Sequence, residues 1–319
     1  MRTLTLILAL PVRLEHALDA LRRAAPSLGA LLARGAPVTA EASLSGLCCQ
    51  ALGVARQQDW PVAPLTARAD GLAPEDGYWL RLDPAHLEVG MGGLMLRPAA
   101  ELALAPDEAQ LLAASLGDLG LDLRAPVPTR WYLRLPEPPA LTTRPLDQVA
   151  GEYLSGHLPG GRDASRLMAR VNEAQMLLHD HPVNLAREAH GLPPVNGLWL
   201  WGGGWVPDPL RPDVTLAADN PEVRALAAGA GATPASVPPR LVDFVGHSRS
   251  RGLAVLAPEA ADGGLSGHFA RLEGDWFKPL LRRLQSGQMR RLDLHLLARP
   301  GLSVALDSQG AWRLWRRSG

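Results

Sequence analysis

The stretch Glu173–Gly204, EAQMLLHDHPVNLAREAHGLPPVNGLWLWGGG, governs how the rest of this 319-residue chain is read. Polar residues cluster there at short spacing, then give way to an apolar run that ends in three glycines. From about Asp163, residues Leu167, Val171, Ala174, Leu178 and Leu185 recur at near-helical spacing. Asn172, Gln175 and His179 follow at i, i+3 and i+7, which puts them on one face. Pro182 lacks a backbone donor, so the helix kinks there or restarts with His181 at its boundary. On a restarted helix, His181, Asn184 and Arg187 lie over a common side, each displaced from the last by about 60°. Gly191 suits a C-terminal cap, and Pro193-Pro194 stops any continuation. Val195–Trp201 then reads as a strand covered on both faces, as in parallel sheets. On that reading Gly202, Gly203 and Gly204 form a loop at the strand's carboxyl end, where open α/β sheets place their ligands.

Working outward, Leu4–Leu10 reads as a first buried strand leading into a helix from about Arg13 to Arg34. The apolar run is short and Pro11–Glu15 offers no small-residue cleavage site, which argues against a secretory signal. No apolar run approaches the length of a membrane span. Cys48 and Cys49 are adjacent in a helical stretch and are the only cysteines; two reduced core thiols and a cytoplasmic location are expected. Asp59–Pro74 reads as a connection. Tyr78–Asp83 alternates as a strand, and His86–Val89 and Leu94–Arg97 flank a glycine-rich hairpin turn. A helix starts at Pro106, and Leu121–Arg124 and Arg130–Leu135 read as strands. This β-rich block, about residues 75–140, is expected to be a small insertion into a main α/β domain made of 1–74 and 141–319. Val214–Ala218 and Leu253–Leu256 read as further strands, and Asp219-Asn220-Pro221 as a helix start. Phe269–Leu284 reads as a helix kinked at Pro279. Leu292–Leu297, Leu302–Leu306 and Trp312–Trp315 read as a C-terminal meander. The fold class expected is α/β, with a largely parallel sheet and helices on both faces.

Composition narrows the chemistry. Formal net charge is zero, with 32 basic and 32 acidic residues, so no domain-wide basic field recruits nucleic acid. Lys278 is the single lysine, which removes the usual vehicle of P-loop and Schiff-base chemistry. Trp312–Arg317 mixes arginine with tryptophan but reads as a solvated amphipathic strand rather than a nucleic-acid contact. His179 and His181 are the nearest approach to a metal pair, yet on a helix i and i+2 point about 160° apart; no metal site is assigned. His181, Asn184, Arg187 and Asn196 have two readings. With the N–H groups of Gly202, Gly203 and Gly204 they could bind an anion, the arginine fork supplying charge and the glycines a nest. Alternatively they hydrogen-bond the local backbone and hold the helix–strand corner. Trp199, Trp201 and Trp205 read as packing residues.

This segment also carries a family resemblance. HPVN, Arg187, GLPPVN and WLWGGG resemble the HPVN…R…G-x-x-PAN…WLWG-x-G signature of archaeal-type, 2,3-bisphosphoglycerate-independent phosphoglycerate mutases of the alkaline phosphatase superfamily. A bacterial branch known as RpfE-type regulatory proteins, or simply as phosphoglycerate mutase, is more similar still. It shares NEAQMLLHDHPVN, YWLRLDPAHL at Tyr78–Leu87 and RWYLRL at Arg130–Leu135. The resemblance implies a fold that is alkaline-phosphatase-like in part, interconversion of 2- and 3-phosphoglycerate, and Mn or Mg if that activity holds. The chain departs from the pattern where the chemistry resides. Metal-dependent relatives carry an Asp at the end of the first strand, and here that strand ends Ala9-Leu10-Pro11. Neither the nucleophilic Ser or Thr nor the later Asp-x-x-x-His-x-x-Asp and Asp-His pairs are found. Two-metal phosphoryl transfer needs both cations. The reading is therefore a degenerate, cytoplasmic member with no cofactor and no catalytic residues assigned, and a regulatory or partner-binding role. Its ligands would be a phosphorylated small molecule or anion, or a protein, with no specific nucleic acid and no membrane. The alternative is an active mutase.

Overall fold

The computed structural model describes residues 2–41, 43–208, 210, 212–246, 250–257 and 264–312. Two compact units share the chain, Met1–Gly53 with Arg211–Gly319, and Val54–Leu210. The strands in chain order are β1 (Thr3–Arg13), β2 (Ala36–Pro37), β3 (Tyr78–Gly90), β4 (Gly93–Pro98), β5 (Asp122–Val127) and β6 (Arg130–Leu135). They continue with β7 (Gly197–Gly204), β8 (Thr215–Ala218), β9 (Pro234–Ala235), β10 (Arg251–Leu256), β11 (Arg291–Arg299) and β12 (Leu302–Asp307). The helices begin with α1 (Leu14–Ala24), α2 (Pro26–Arg34), α3 (Leu44–Leu52), α4 (Val62–Ala69), α5 (Pro106–Leu116) and α6 (Leu146–Val149). The second half adds α7 (Ala164–His179), α8 (Pro182–Ala189), α9 (Pro221–Gly229), α10 (Leu241–Gly246), α11 (Gly264–Leu272) and α12 (Lys278–Gln285). None of the described helices is long and apolar enough to cross a membrane.

The discontinuous unit is built on a seven-stranded sheet in the order β2-β12-β11-β1-β10-β8-β9. Strands β11, β1, β10, β8 and β9 run parallel, and β12 and β2 are antiparallel. Side chains alternate across a strand, and here the alternation sorts an apolar face from a mixed one. Leu4, Leu6 and Leu8 of β1 and Leu292, Leu294 and Leu296 of β11 are buried with Leu21, Leu28, Phe269 and Leu280 from α1, α2, α11 and α12. On the opposite face, Thr5 and His295 line a cleft with Leu47 and Gln50 of α3. Pro26 breaks the helix expected over Arg13–Arg34 into α1 and α2, because a proline inside a helix cannot donate to the preceding turn. A π-helical turn, Glu273–Phe277, precedes α12 and Pro279; widening the helix there accommodates the donor that the proline lacks. Strand β11 is both a parallel partner of β1 and one arm of the hairpin with β12. Of the expected Trp312–Trp315 strand, Trp312 falls in a short 3-10 turn, and the rest lies outside the described residues.

The continuous unit, Val54–Leu210, carries an antiparallel sheet in the order β4-β3-β6-β5, with β7 paired to β3. The stretch Val195–Trp201 was expected to be a strand of the largely parallel sheet. Instead β7 pairs antiparallel with β3, Leu82 opposite Leu200 and Asp83 opposite Trp199. The physical reason is that burial on both faces, not strand direction, makes a strand continuously apolar. Leu198 and Leu200 pack with Leu167, Val171 and Leu178 of α7. Behind them α4 covers the other face, where Ala63 and Ala67 meet Trp79 and Tyr132. Helix α4 occupies the middle of the stretch expected to be a connection. Its Pro64 falls in the first turn, where the missing N–H would have had no helical partner. The β-rich block at 75–140 thus belongs to a unit that also takes in α4 before it and α7, α8 and β7 after it. The chain is a mixed α/β protein with a mainly parallel sheet flanked by helices and a second, antiparallel sheet.

Candidate functional site

The signature stretch folds as a helix, a break, a second helix and a strand. Helix α7 ends at His179, and α8 restarts at Pro182 with His181 as its N-cap. His181 Nδ1 accepts the Val183 N–H at 3.2 Å, so that nitrogen must be unprotonated. Burial lowers its pKa from the ordinary value, in keeping with this. Leu185, expected on the apolar stripe of α7, is exposed on α8, since the restart rotates it out of register. His179 is exposed at the end of α7. Among the described residues no group of three or more His, Cys, Asp or Glu is placed to hold a metal; His247, Glu259 and Asp262 lie outside that set.

Asn184 and Arg187 face inward and are each 1% exposed. Asn184 bridges the end of α7 to the start of β7. Its Nδ2 donates to Leu178 O at 2.8 Å and Val195 O at 2.9 Å, and its Oδ1 accepts the Val195 N–H at 2.8 Å. Arg187 uses all three nitrogens within the unit. Nε donates to Pro193 O at 3.0 Å, Nη2 to Leu102 O at 2.5 Å, and Nη1 to Glu108 Oε2 at 2.7 Å. Glu108 Oε2 also accepts the Ala105 N–H at 2.9 Å at the start of α5, so one carboxylate ties the arginine to a helix N-terminus. Asn196 behaves as an extra strand residue. Its Oδ1 accepts the Leu87 N–H at 2.6 Å and its Nδ2 donates to Leu87 O at 3.2 Å, prolonging the pairing of β3 beyond the end of β7.

Gly202, Gly203 and Gly204 are not a loop. They are the buried last residues of β7, and a bulge falls among them. Trp79 lies opposite Gly204 and Arg81 opposite Trp201, so two glycines face the single residue Leu80. Gly202 adopts φ +67°, the left-handed conformation that this class of bulge requires of glycine. A Cβ on Gly203 would come within 2.6 Å of both Leu80 Cδ2 and Tyr78 Oη, and one on Gly204 within 2.5 Å of Pro61 Cβ. The Gly202 N–H donates to Thr143 Oγ1 at 3.2 Å, and that hydroxyl donates to Asp59 Oδ2 at 2.5 Å. Burial raises the pKa of Asp59, opposed by the Thr143 hydrogen bonds and by Arg56. Burial, and then Asp59, push the Tyr78 hydroxyl up to about 12.

Behind the bulge lies a polar cluster that the reading of the sequence missed. Arg81 and Asp83 of β3 are 1% and 0% exposed. Arg81 Nε meets Asp83 Oδ1 at 2.8 Å, and the guanidinium lies 5.1 Å from the Trp201 ring centroid and 5.4 Å from that of Tyr132. Asp83 Oδ2 accepts the Trp201 indole N–H at 2.6 Å, and Oδ1 the Trp131 N–H at 3.2 Å. At the edge, Tyr132 donates to Asp70 Oδ2 at 2.5 Å, and Arg130 grips both oxygens of Asp70 at 2.7 and 2.5 Å. The signal was present: Arg81 and Asp83 share a face with Trp79 in an otherwise apolar strand, and a charge pair at i, i+2 in such a strand requires burial partners. The segments YWLRLDPAHL, RWYLRL and WLWGGG are the three adjacent strands that make this cluster.

Comparison with known proteins gives a similarity limited in extent. No family model matches the chain. The 2,3-bisphosphoglycerate-independent phosphoglycerate mutase of Methanothrix thermoacetophila is 46% identical over 72 residues, which is 23% of this chain and 18% of that protein. The probable enzyme of the same name from Geobacter sulfurreducens is 37% identical over 67 residues, covering 21% and 17%. The chain therefore matches less than a fifth of the length of these relatives. Among solved structures, a cofactor-independent phosphoglycerate mutase from Thermoplasma acidophilum aligns over 96% of this chain and 90% of its own, at 17% identity and a TM-score of 0.45. A protein from Pyrococcus horikoshii aligns over 95% and 85%, at 16% identity and 0.48. Over its matching segment the chain is similar to cofactor-independent phosphoglycerate mutases.

Proposed function

We propose that this is a phosphoglycerate mutase-like protein in which the signature stretch has a scaffolding role. On this reading the chain does not run metal-assisted phosphoryl transfer and acts as a regulatory or partner-binding protein. One observation carries the reading: the guanidinium of Arg187 is buried and held by Pro193 O, Leu102 O and Glu108. An arginine that recognises a soluble phosphate must offer its fork to solvent. His181, Asn184, Asn196 and Gly202 likewise direct their hydrogen bonds to backbone or to Thr143. Strand β1 adds support, because the resemblance requires a metal-binding Asp at its end and none occurs in Thr3–Arg13. Without that ligand, charge on the attacking and leaving oxygens lacks its counterion. The regulatory role rests on the resemblance of YWLRLDPAHL and RWYLRL to RpfE-type proteins, two segments that here build the scaffold around Arg81.

The test is an assay of the full chain for interconversion of 2- and 3-phosphoglycerate, with and without Mn²⁺ or Mg²⁺, beside elemental analysis. No turnover and less than stoichiometric metal are expected. Metal-dependent turnover with a bound equivalent would overturn the proposal in favour of an active mutase.

A further inference from the structure

A cleft of about 580 Å³ opens in the continuous unit between α7 and the face of the antiparallel sheet. Its floor is apolar, formed by the core residues Leu82, Leu133 and Leu200 from β3, β6 and β7 and Leu167 and Val171 from α7, and its rim is polar. Pro136, Pro138 and Pro139 form one wall, a segment stiffened by fixed φ angles. Three arginines border the opening. Arg166 and Arg170 lie one turn apart on α7, beside the Leu167–Val171 row, and Arg162 is in the turn leading into the helix. All three are exposed.

Two carboxylates also line the cleft, and their commitments matter. Asp163 Oδ2 accepts the Ala140 N–H at 2.8 Å, and its Oδ1 is 3.5 Å from Arg166 Nη2. Glu137 is the second. Arg170 meets Glu173 at 2.9 Å on the solvent side, with both side chains about half exposed. Each of these pairs engages one nitrogen of a fork that has five N–H donors, and Arg162 makes no ion pair among the described residues. Here the apolar floor and the arginines occur together, at a size within the range of about 300–1,000 Å³ found for small-molecule sites, which pair apolar walls with a few polar groups.

We infer that this cleft binds a small anionic amphiphile, with its apolar body against the leucines and its acidic head among Arg162, Arg166 and Arg170. The inference uses none of the corner residues and does not depend on the proposed loss of mutase activity. The probe is 1-anilinonaphthalene-8-sulfonate, compared with uncharged N-phenyl-1-naphthylamine, which has the same body without the sulfonate. Full-length protein is expected to bind one sulfonate probe saturably, and more weakly as salt rises. The triple variant R162Q/R166Q/R170Q is expected to weaken that probe at least tenfold and to leave the neutral one unchanged. Leu121→Trp, at a half-buried position in the cleft lining, is expected to exclude both. If Leu121→Trp fails to fold, the arginine variant decides alone, since its changes are on the surface. Non-saturable binding, equal loss of both probes in the arginine variant, or retention of both in a folded Leu121→Trp variant would overturn the inference. So would displacement of the probe only by macromolecules and not by a simple alkyl carboxylate such as decanoate.

Discussion

The two units of this chain bury polar residues of different kinds. In the discontinuous unit, the buried polar residues among those described are Ser43, Ser45, His268 and His295, with no carboxylate and no arginine. In the continuous unit the buried polar residues include charged ones: Arg81 and Asp83 lie in β3 beneath α4, and Arg187 of α8 is enclosed with Glu108. The residues that resemble a phosphoglycerate mutase signature are all in this second unit, and its own backbone and carboxylates take up their hydrogen bonds. A polar signature can thus be a folding feature. A sheet whose centre holds an ion pair and two indole or phenol partners admits one register only, because a slip would leave Asp83 without Trp201.

If that contrast is right, the largest effect belongs to the ion pair. Arg81→Met strands a fully buried carboxylate and is expected to cost about 3–5 kcal/mol, read from urea unfolding. A loss below about 1 kcal/mol would show that the cluster is dispensable to the sheet. Trp201→Phe keeps the ring but removes the indole donor to Asp83, a charge-assisted bond of about 1.5–3 kcal/mol. Gly203→Ala sharpens the picture of the bulge. Its Cβ must displace Leu80 and Tyr78, for about 1–3 kcal/mol, read from urea unfolding.

The smallest effect is a pH dependence in the other unit. His295 of β11 is buried, with Nδ1 at 2.9 Å from Ser303 Oγ. Burial lowers its pKa below the ordinary 6.5, opposed by Asp293. The unfolded chain then binds more protons, so stability rises with pH. The contribution is complete above about pH 6.5 and is lost as pH falls through the folded-state value. Arg251 and Arg291 line the same cleft. His295→Gln is expected to flatten the denaturation midpoint between pH 7 and 5. His181 contributes in the same direction, so a residual slope is expected to remain. An unchanged slope would exclude His295 as its source.

Much of the discontinuous unit was legible because its strands are short apolar runs with clear punctuation. Leu4–Leu10, Val214–Ala218 and Leu253–Leu256 all fall in the mainly parallel sheet, and Asn220 caps α9 through the Val223 N–H at 3.0 Å. The restart at Pro182 was legible too, since proline fixes where a helix may begin. Strand direction at β7 was not. A run such as GLWLWGGG records that both faces are covered and is silent about the orientation of its neighbour. The glycine triplet misled for a related reason: glycine marks any close backbone approach, and here Leu80, Tyr78 and Pro61 are what come close, rather than a ligand. Helix α4 was hidden by its prolines, of which Pro64 occupies a tolerated first-turn position. The Arg81–Asp83 pair went unread because both residues fit an alternating strand.

The central claim, that the HPVN–Arg187 corner is scaffold, is tested most directly on Arg187→Met. Thermal and urea unfolding of the variant should be measured beside calorimetric titration of 3-phosphoglycerate into both proteins. The account expects a loss of about 3–5 kcal/mol, because Glu108 keeps its charge while Leu102 O and Pro193 O lose their donor, and no heat of binding in the parent protein. A parent that binds 3-phosphoglycerate, paired with a variant that keeps its stability and loses the ligand, would contradict it.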